Sequence, residues 1–490
     1  MTSLVMFMPV IVVALGALVS LAAEPFLNDE SKHKVLPWVA AVFVALGMAA
    51  FALVKVDCVY DLFAVDPVRR LLGVSVLLCA LLGIGGLQWM LGREKMKGGE
   101  AYGLMLLASC GALLMTQAID FLSLFIAMEL TSFPVYALVG IRRKDQNAGE
   151  GVFKYFVSGS IFSAFFLYGV ALIYGATGST HMFSAVLEGR GSIYAVGILL
   201  VVFGLLFKAG AAPVHFWVAD VYTGASVAVT GFMAAVVKVG ALAALGSVWV
   251  GILATRAGAP AAWNLAEPVK FASQSPALYY VVLVVAILSM VIGAFSGLAQ
   301  KSIRRILAFS AVMNAGFIVI GLLLPNYLKE GSVQLGSMFF FLVTYAIASA
   351  GALTGIAYLA GKEDKNENRE DIQGVGRRRP FVALGVAVCL ASLAGLPPVA
   401  GFLAKFALFA GAFSAGMTAT AIFGFGLSLV AAVYYLRIAY VLFAPRKEPC
   451  QCKCCCQTDP HYGYMLKFMV SLAALALLAM SVLPASALIG

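Results

Sequence analysis

The chain consists of one apolar run of about 17 to 25 residues after another, and nothing else restricts its fold so severely. A helix needs roughly 20 residues to cross the ~30 Å hydrocarbon layer of a bilayer. The runs lack the strict alternation of membrane β-strands. In lipid, every backbone N–H and C=O must be satisfied within the chain, so continuous apolar segments become helices. With 62% apolar and only 11% charged residues, against about 25% charged in soluble domains, there is too little polar surface to cover a soluble globule. The expected fold class is an all-α polytopic membrane protein.

Fourteen spans are predicted, at roughly 4–22, 36–54, 71–91, 101–118, 121–141, 154–175, 192–212, 226–250, 277–297, 304–323, 336–360, 380–410, 417–443 and 463–485. The first run is long enough to span and lacks a basic leader, so it reads as a retained helix and not a signal peptide. The longest polar interruption, 361–379, is too short for a soluble domain. A single membrane domain over 1–490 is expected, with a core at about 101–443 and flanking helices at 1–100 and 463–485. The formal net charge of +10 does not indicate nucleic acid, because no soluble basic domain exists to carry it. Lys and Arg are instead about threefold more abundant in the odd-numbered loops. The positive-inside rule puts those loops in the cytoplasm and both termini on the opposite side.

With Lys154, Arg304 and Arg305 at the very starts of spans counted with the loops, five cations fall outside them: Lys208, Lys238, Lys405, Arg437 and Lys467. Lys467 starts the last span and can snorkel, whereas the others read as lying well inside. Among the acids only Glu129 is deep within a span. A lone charge in lipid costs at least ~2.5–3.5 kcal/mol, so these residues need a reason. Glu129 is either one half of a structural ion pair or a carboxylate that tunes a nearby lysine. Lys208 opens Phe207-Lys-Ala-Gly-Ala-Ala-Pro-Val-His-Phe-Trp217, where Pro213 breaks the helix and frees a backbone carbonyl. Interrupted helices at membrane depth line polar cavities and mark ion sites. A lysine there can take and release a proton, which an always-charged arginine cannot. His215, two residues beyond the proline, is a further relay candidate. Alone it would read as a packing residue; beside a broken helix it reads as a titrating one.

The device recurs in Ala394-Gly-Leu-Pro-Pro-Val-Ala-Gly-Phe-Leu-Ala-Lys-Phe406, where paired prolines break the twelfth span ahead of Lys405. The two broken spans are five apart, which suggests five-helix repeats, spans 4–8 and 9–13. An odd number of crossings inverts the second unit relative to the first. Lys238, in Ala234-Ala-Val-Val-Lys-Val-Gly240, adds a basic site on the span after the first break.

Of nine cysteines, Cys58, Cys79, Cys110 and Cys389 lie in or beside spans as small apolar fillers, and five crowd into 450–456. That cluster reads as reduced thiols in a solvated loop, with acylation or adventitious metal binding as alternatives, because zinc spacing needs two separated pairs. No paired histidines for haem, dinucleotide glycine motif or iron–sulfur spacing is present, so neither cofactor nor metal is expected in this chain.

Several segments resemble the antiporter-like membrane subunits of respiratory complex I, and within them the N type. The likeness covers nearly the whole chain. Its segments are Glu150-Gly-Val-Phe-Lys-Tyr-Phe156, the stretch from Phe207 to Trp217 with Asp220-Val-Tyr-Thr-Gly-Ala225, Gln300-Lys-Ser-Ile-Arg-Arg-Ile-Leu-Ala-Phe-Ser310, and Tyr434-Tyr-Leu-Arg437. The resemblance implies a proton-translocating subunit of an NADH:quinone oxidoreductase. Glu129 and Lys208 would be its switching pair, Lys238 its central lysine and Lys405 the end of its proton path. It also implies partner membrane subunits, further antiporter-like subunits among them, in an energy-transducing inner membrane. Lysine at 405 and the absence of a long lateral helix favour N over its sister types. Asn314 stands where relatives often carry histidine, so a relay at that position would run through water. The rivals are a sodium/proton antiporter of the Mrp type, a subunit of a related hydrogenase or other dehydrogenase, and a scaffold with structural charge pairs. Three buried lysines against one buried acid argue against the scaffold.

Overall fold

The computed structural model describes residues 5–54, 58–60, 62–182, 191–253, 276–324, 334–359, 364, 368–445 and 463–482. The 450–456 cysteines lie outside the described residues. The described chain is helical apart from one small antiparallel hairpin, β1 (Cys58–Tyr60) with β2 (Phe63–Val65). In order the helices are α1 (Met8–Ala23), α2 (Asp29–Leu53), α3 (Pro67–Glu94), α4 (Glu100–Gln117), α5 (Phe121–Val139), α6 (Gln146–Thr177), α7 (Ser192–Ala209), the short α8 (Val218–Gly224) and α9 (Val227–Phe232). A π turn at Met233–Val237 joins α9 to α10 (Lys238–Leu253). Then follow α11 (Pro276–Ala299), α12 (Ile303–Gly321), α13 (Gln334–Leu359), α14 (Val375–Arg378), α15 (Pro380–Ala394), α16 (Ala400–Ser414), α17 (Thr418–Phe443) and α18 (Gly463–Val482).

Twelve of these segments are long and apolar enough to cross a membrane. The split α15–α16 segment and the largely buried 18-residue α4 bring the number of crossings to fourteen, in line with the count from the apolar runs. Short polar side chains set the starts. Asp66, Asp120 and Asp145 each accept backbone N–H groups at the first turns of α3, α5 and α6. That cap starts α6 eight residues before the hydrophobic run predicts, because capping acts on the polar first turns that hydropathy omits.

The two units, α4–α10 and α11–α17, each break their fourth span in the same way. Helix α7 ends at Gly210 (φ 68°) and α15 at Gly395 (φ 81°), both left-handed. In each case the second residue past the helix donates back five residues: Ala211 N–H to Leu206 O, and Leu396 N–H to Ala391 O, both 3.0 Å. This closure ties up carbonyls that the helix end would leave unpaired. The first break is further held by Trp217, whose indole N–H donates to Phe207 O at 3.1 Å, and by Ser289 of α11, which accepts Ala212 N–H at 2.8 Å.

The helix that carries Lys238 and helix α13 are enclosed along their whole apolar windows, with α12 nearly so. Helices α1, α2, α6, α11, α17 and α18 present apolar faces outward. At the loop end of α5, Arg142 reaches Glu94 at 2.6 Å and Asp364 at 2.9 Å. Asp364 also accepts Val227 N–H at 3.0 Å, at the start of the helix leading to Lys238.

Candidate functional site

The three lysines singled out from the sequence are interior, at 2% (Lys208), 1% (Lys238) and 5% (Lys405) exposure. Arg437 is different: it is exposed on the outer face of α17, so it does not join them. Lys467 is likewise exposed, beside the rings of Tyr358 and Tyr464. The division follows from helix rotation, which a hydropathy window does not register.

Lys208 occupies the last turn of α7, where the negative end of the helix dipole favours a cation. Its ammonium donates to Ser132 Oγ at 2.6 Å and Tyr136 OH at 3.2 Å, both on α5. The rings of Tyr136 and Tyr155 lie 5.5 and 5.9 Å from the nitrogen, within the range of cation–π attraction. Glu129 sits one turn before Ser132 on α5, partly buried, and accepts a hydrogen bond from Ser163 on α6. No ion pair joins Glu129 to Lys208. Glu129 lies about 4.5 Å in helix rise before Ser132 on the same face of α5, so the carboxylate and the amine have separate polar partners along that face. Ser132, Tyr136 and Ser163 were not recognised from the sequence. The spacing Glu129, Ser132, Tyr136 does place all three on one helix face, and was the signal available.

Lys238 directly follows the π turn, a distortion frequent at functional sites. It donates to Ala311 O on α12 at 2.7 Å and lies 5.9 Å from the ring of Tyr345. It also lies against the first break: a Cβ on Gly210 would sit 3.7 Å from Lys238 Nζ. Lys405 repeats the arrangement at the second break. Its ammonium donates to Leu393 O at 2.7 Å and Ala394 O at 3.3 Å, the terminal carbonyls of α15, and to Ser428 Oγ at 3.0 Å. A Cβ on Gly395 would lie 2.9 Å from Lys405 Cδ. Each break therefore ends in a left-handed glycine with a lysine amine beside it, although one lysine comes from the next helix and the other from the same broken span.

Glycine at 395 is required twice, for its positive φ and for the space it leaves. We predict that Gly395→Ala costs about 1–2 kcal/mol for the backbone alone and displaces Lys405, which a lowered yield of folded protein in membranes measures.

His215 lies in the segment between the first break and α8, partly buried. Its backbone carbonyl accepts Val218 N–H at 2.9 Å, and its Nδ1 has no hydrogen-bond partner among the described residues. No hydrogen bond or ion pair connects it with Glu129 or the three lysines. Among the described residues, no group of three or more His, Cys, Asp or Glu could hold a metal ion.

Chemically, the arrangement is a set of buried amines held by hydroxyls, carbonyls and ring faces, none of them in an ion pair among the described residues. An amine held by neutral oxygens is not bound to a fixed counter-charge, so it can lose or gain a proton without breaking a salt bridge. The Lys238 and Lys405 arrangements lie against the two helix breaks, where interrupted helices expose backbone polar groups.

Comparison with known proteins gives the same assignment. The family model described as NADH:quinone oxidoreductase/Mrp antiporter, TM, matches residues 118–431. The NADH-quinone oxidoreductase subunit N of Parvibaculum lavamentivorans is 34% identical, over 89% of this chain and 87% of that relative. A chain in the structure of respiratory complex I from Thermus thermophilus with bound aureothin superposes with a TM-score of 0.78 at 30% identity, covering 98% of each chain. A chain of the Mrp complex from Dietzia sp. superposes with a TM-score of 0.77 at 22% identity, covering 96% of this chain and 94% of that one, a likeness of fold alone. The chain belongs to the NADH:quinone oxidoreductase/Mrp antiporter family of membrane proteins, together with the NADH-quinone oxidoreductase N subunits.

Proposed function

We propose that this chain is a proton-translocating membrane subunit of a complex I-type NADH:quinone oxidoreductase. It would move protons by way of Glu129, Lys208, Lys238 and Lys405, with His215 as a further relay. The observation that carries this reading is the set of three buried lysines, none of them ion-paired among the described residues, two of them against helix breaks. The relatives named as subunit N support the choice of assembly. Quinone reduction elsewhere in the complex would alter the contact between Glu129 and Lys208. Lys208 then holds its proton differently, and the change passes through Lys238 to Lys405. Redox cofactors would sit in partner subunits, and this chain would carry none.

The family match at 118–431 supports a core of about 101–443 within one membrane domain over 1–490. The subunit lies in an energy-transducing inner membrane beside other antiporter-like subunits, and the loop charge bias supports both termini facing away from the cytoplasm. A tag on this chain and mass spectrometry of the purified complex test the reading. NADH-binding subunits are the expected companions; Mrp-type antiporter or hydrogenase subunits in their place would overturn it.

Two smaller predictions belong with this reading. Ser132→Ala removes one acceptor of the Lys208 ammonium and Tyr136→Phe the other. Each should reduce proton translocation by several-fold in reconstituted complex, with complex yield within about 1 kcal/mol of wild-type stability for the loss of one hydrogen bond. Replacing all five cysteines of 450–456 by serine should leave assembly and turnover unchanged, because the charge count places that loop in a reducing cytoplasm.

A further inference from the structure

Lys238 and Lys405 are not in contact, yet the two helices that receive them meet through one polar cluster. On α12, Ser310 and Asn314 are one turn apart and fully buried. Tyr435 on α17, also fully buried, hydrogen-bonds Ser310 Oγ through its hydroxyl. Asn314 Nδ2 donates to Tyr435 OH at 3.2 Å, to Ser310 O at 2.8 Å and to Ser310 Oγ at 3.4 Å, while Asn314 Oδ1 has no partner among the described residues. The residue after Ser310 is Ala311, whose carbonyl receives Lys238. At the other end, Phe317 on α12 lies 5.6 Å from Lys405 Nζ, and Ser428 on α17, two turns before Tyr435 and on the same face, accepts from Lys405.

We propose that Tyr435 and Ser310 form a proton-carrying hydroxyl pair between Lys238 and Lys405, with Asn314 as the residue that positions it. This rests on the reading of the lysines as proton sites. The Asn314 N–H donates to the Tyr435 oxygen, and the hydrogen bond within the pair has two directions: tyrosine donates to serine, or serine to tyrosine. A proton arriving at the donor oxygen forms an O–H bond there as that oxygen's own proton passes along the hydrogen bond to the second oxygen, whose original O–H bond breaks to release a proton onward. One proton enters and one leaves, no charge stays behind and no electron moves. The pair is left in the opposite orientation and must turn over before the next transfer, which gives the link a built-in two-state step. The amide of Asn314 gives up no proton itself; its free Oδ1 is an acceptor for a water that extends the link toward the lysines.

The test uses the whole complex in proteoliposomes, with protons translocated per electron and the amount of assembled complex both measured. Lys405→Met sets the full-loss reference. Tyr435→Phe and Ser310→Ala should each produce at least half of that loss, with assembly and electron transfer retained, and Ser310→Thr, which keeps the hydroxyl, should stay near wild type. If Lys405→Met loses pumping while Tyr435→Phe and Ser310→Ala pump normally per assembled complex, the hydroxyl link is wrong and the lysine reading stands. Pumping at the wild-type level in Lys405→Met overturns both. A failure of Ser310→Thr equal to that of Ser310→Ala would make the site one of packing and overturn the link.

Discussion

Replacement of Lys405 by alanine is expected to leave the complex assembled and to remove its coupled proton translocation at this site, by about a hundredfold or more, the scale on which a positioned proton-transfer group contributes. Three oxygens lose their donor in the variant: Leu393 O, Ala394 O and Ser428 Oγ. Buried acceptors left unpaired cost about 1–3 kcal/mol each unless water replaces the donor. The deleted side chain leaves room for that water at a helix break, and the burial of an amine without a counter-ion disappears with it. The stability change should therefore be small compared with the functional one. Lys405→Arg separates the roles. Arginine keeps the charge and can still cap the α15 carbonyls, but it does not release a proton. Proton flux into vesicles and the amount of complex on native gels should both be measured for the two variants. Restoration of pumping by arginine would show that Lys405 acts as a cap and not as a proton site.

The second large effect concerns Glu129 and Lys208. Glu129→Gln and Lys208→Met should each cut proton translocation strongly, and the double variant should be little worse than either single one. Groups in one network show interaction energies of about 0.5–3 kcal/mol and do not add. The geometry sharpens the reason. Glu129 is held by Ser163 while Lys208 is held by Ser132 and Tyr136, so carboxylate and amine share one face of α5 without touching. In the proposed mechanism the Lys208 amine exchanges its hydroxyl partners for the carboxylate, and either single substitution abolishes that exchange. Had the pair been a closed structural salt bridge, the single variants would lower the yield of complex and the neutral double variant would restore it. Yield and pumping measured in all three variants decide between the two, and wild-type pumping in the double variant would end the coupling idea.

The fold was legible in the sequence to an unusual degree, because lipid leaves the backbone so few choices. Apolar runs of sufficient length gave the fourteen crossings, and Pro213 and Pro397-Pro398 gave the two interruptions. Five-span spacing between the breaks gave the inverted repeat, since an odd number of crossings must reverse direction. The same cost of burying charge picked out Lys208, Lys238, Lys405 and Glu129 from a chain with few candidates.

The partners of those residues were not legible. Ser132, Ser163, Ser428, Tyr136 and Tyr435 are ordinary residues within apolar helices, and nothing local marks one serine from another. Ser163 meets Glu129 where α6 packs on α5, and Tyr435 meets Ser310 where α17 packs on α12. Ser428 meets Lys405 where α17 packs on α16, and Ser132 and Tyr136 meet Lys208 between α5 and α7. Helix rotation likewise turned Arg437 outward while the lysines turned inward. The left-handed glycines repeat the point: Gly210 and Gly395 could be guessed as helix ends, but the lysine against each comes from a different element of its repeat. Sequence alone fixes which segments enter the membrane, because transfer free energy is a property of each segment. Which amine meets which oxygen is a property of rotation and contact between segments far apart in the chain, and only the tertiary structure decides it.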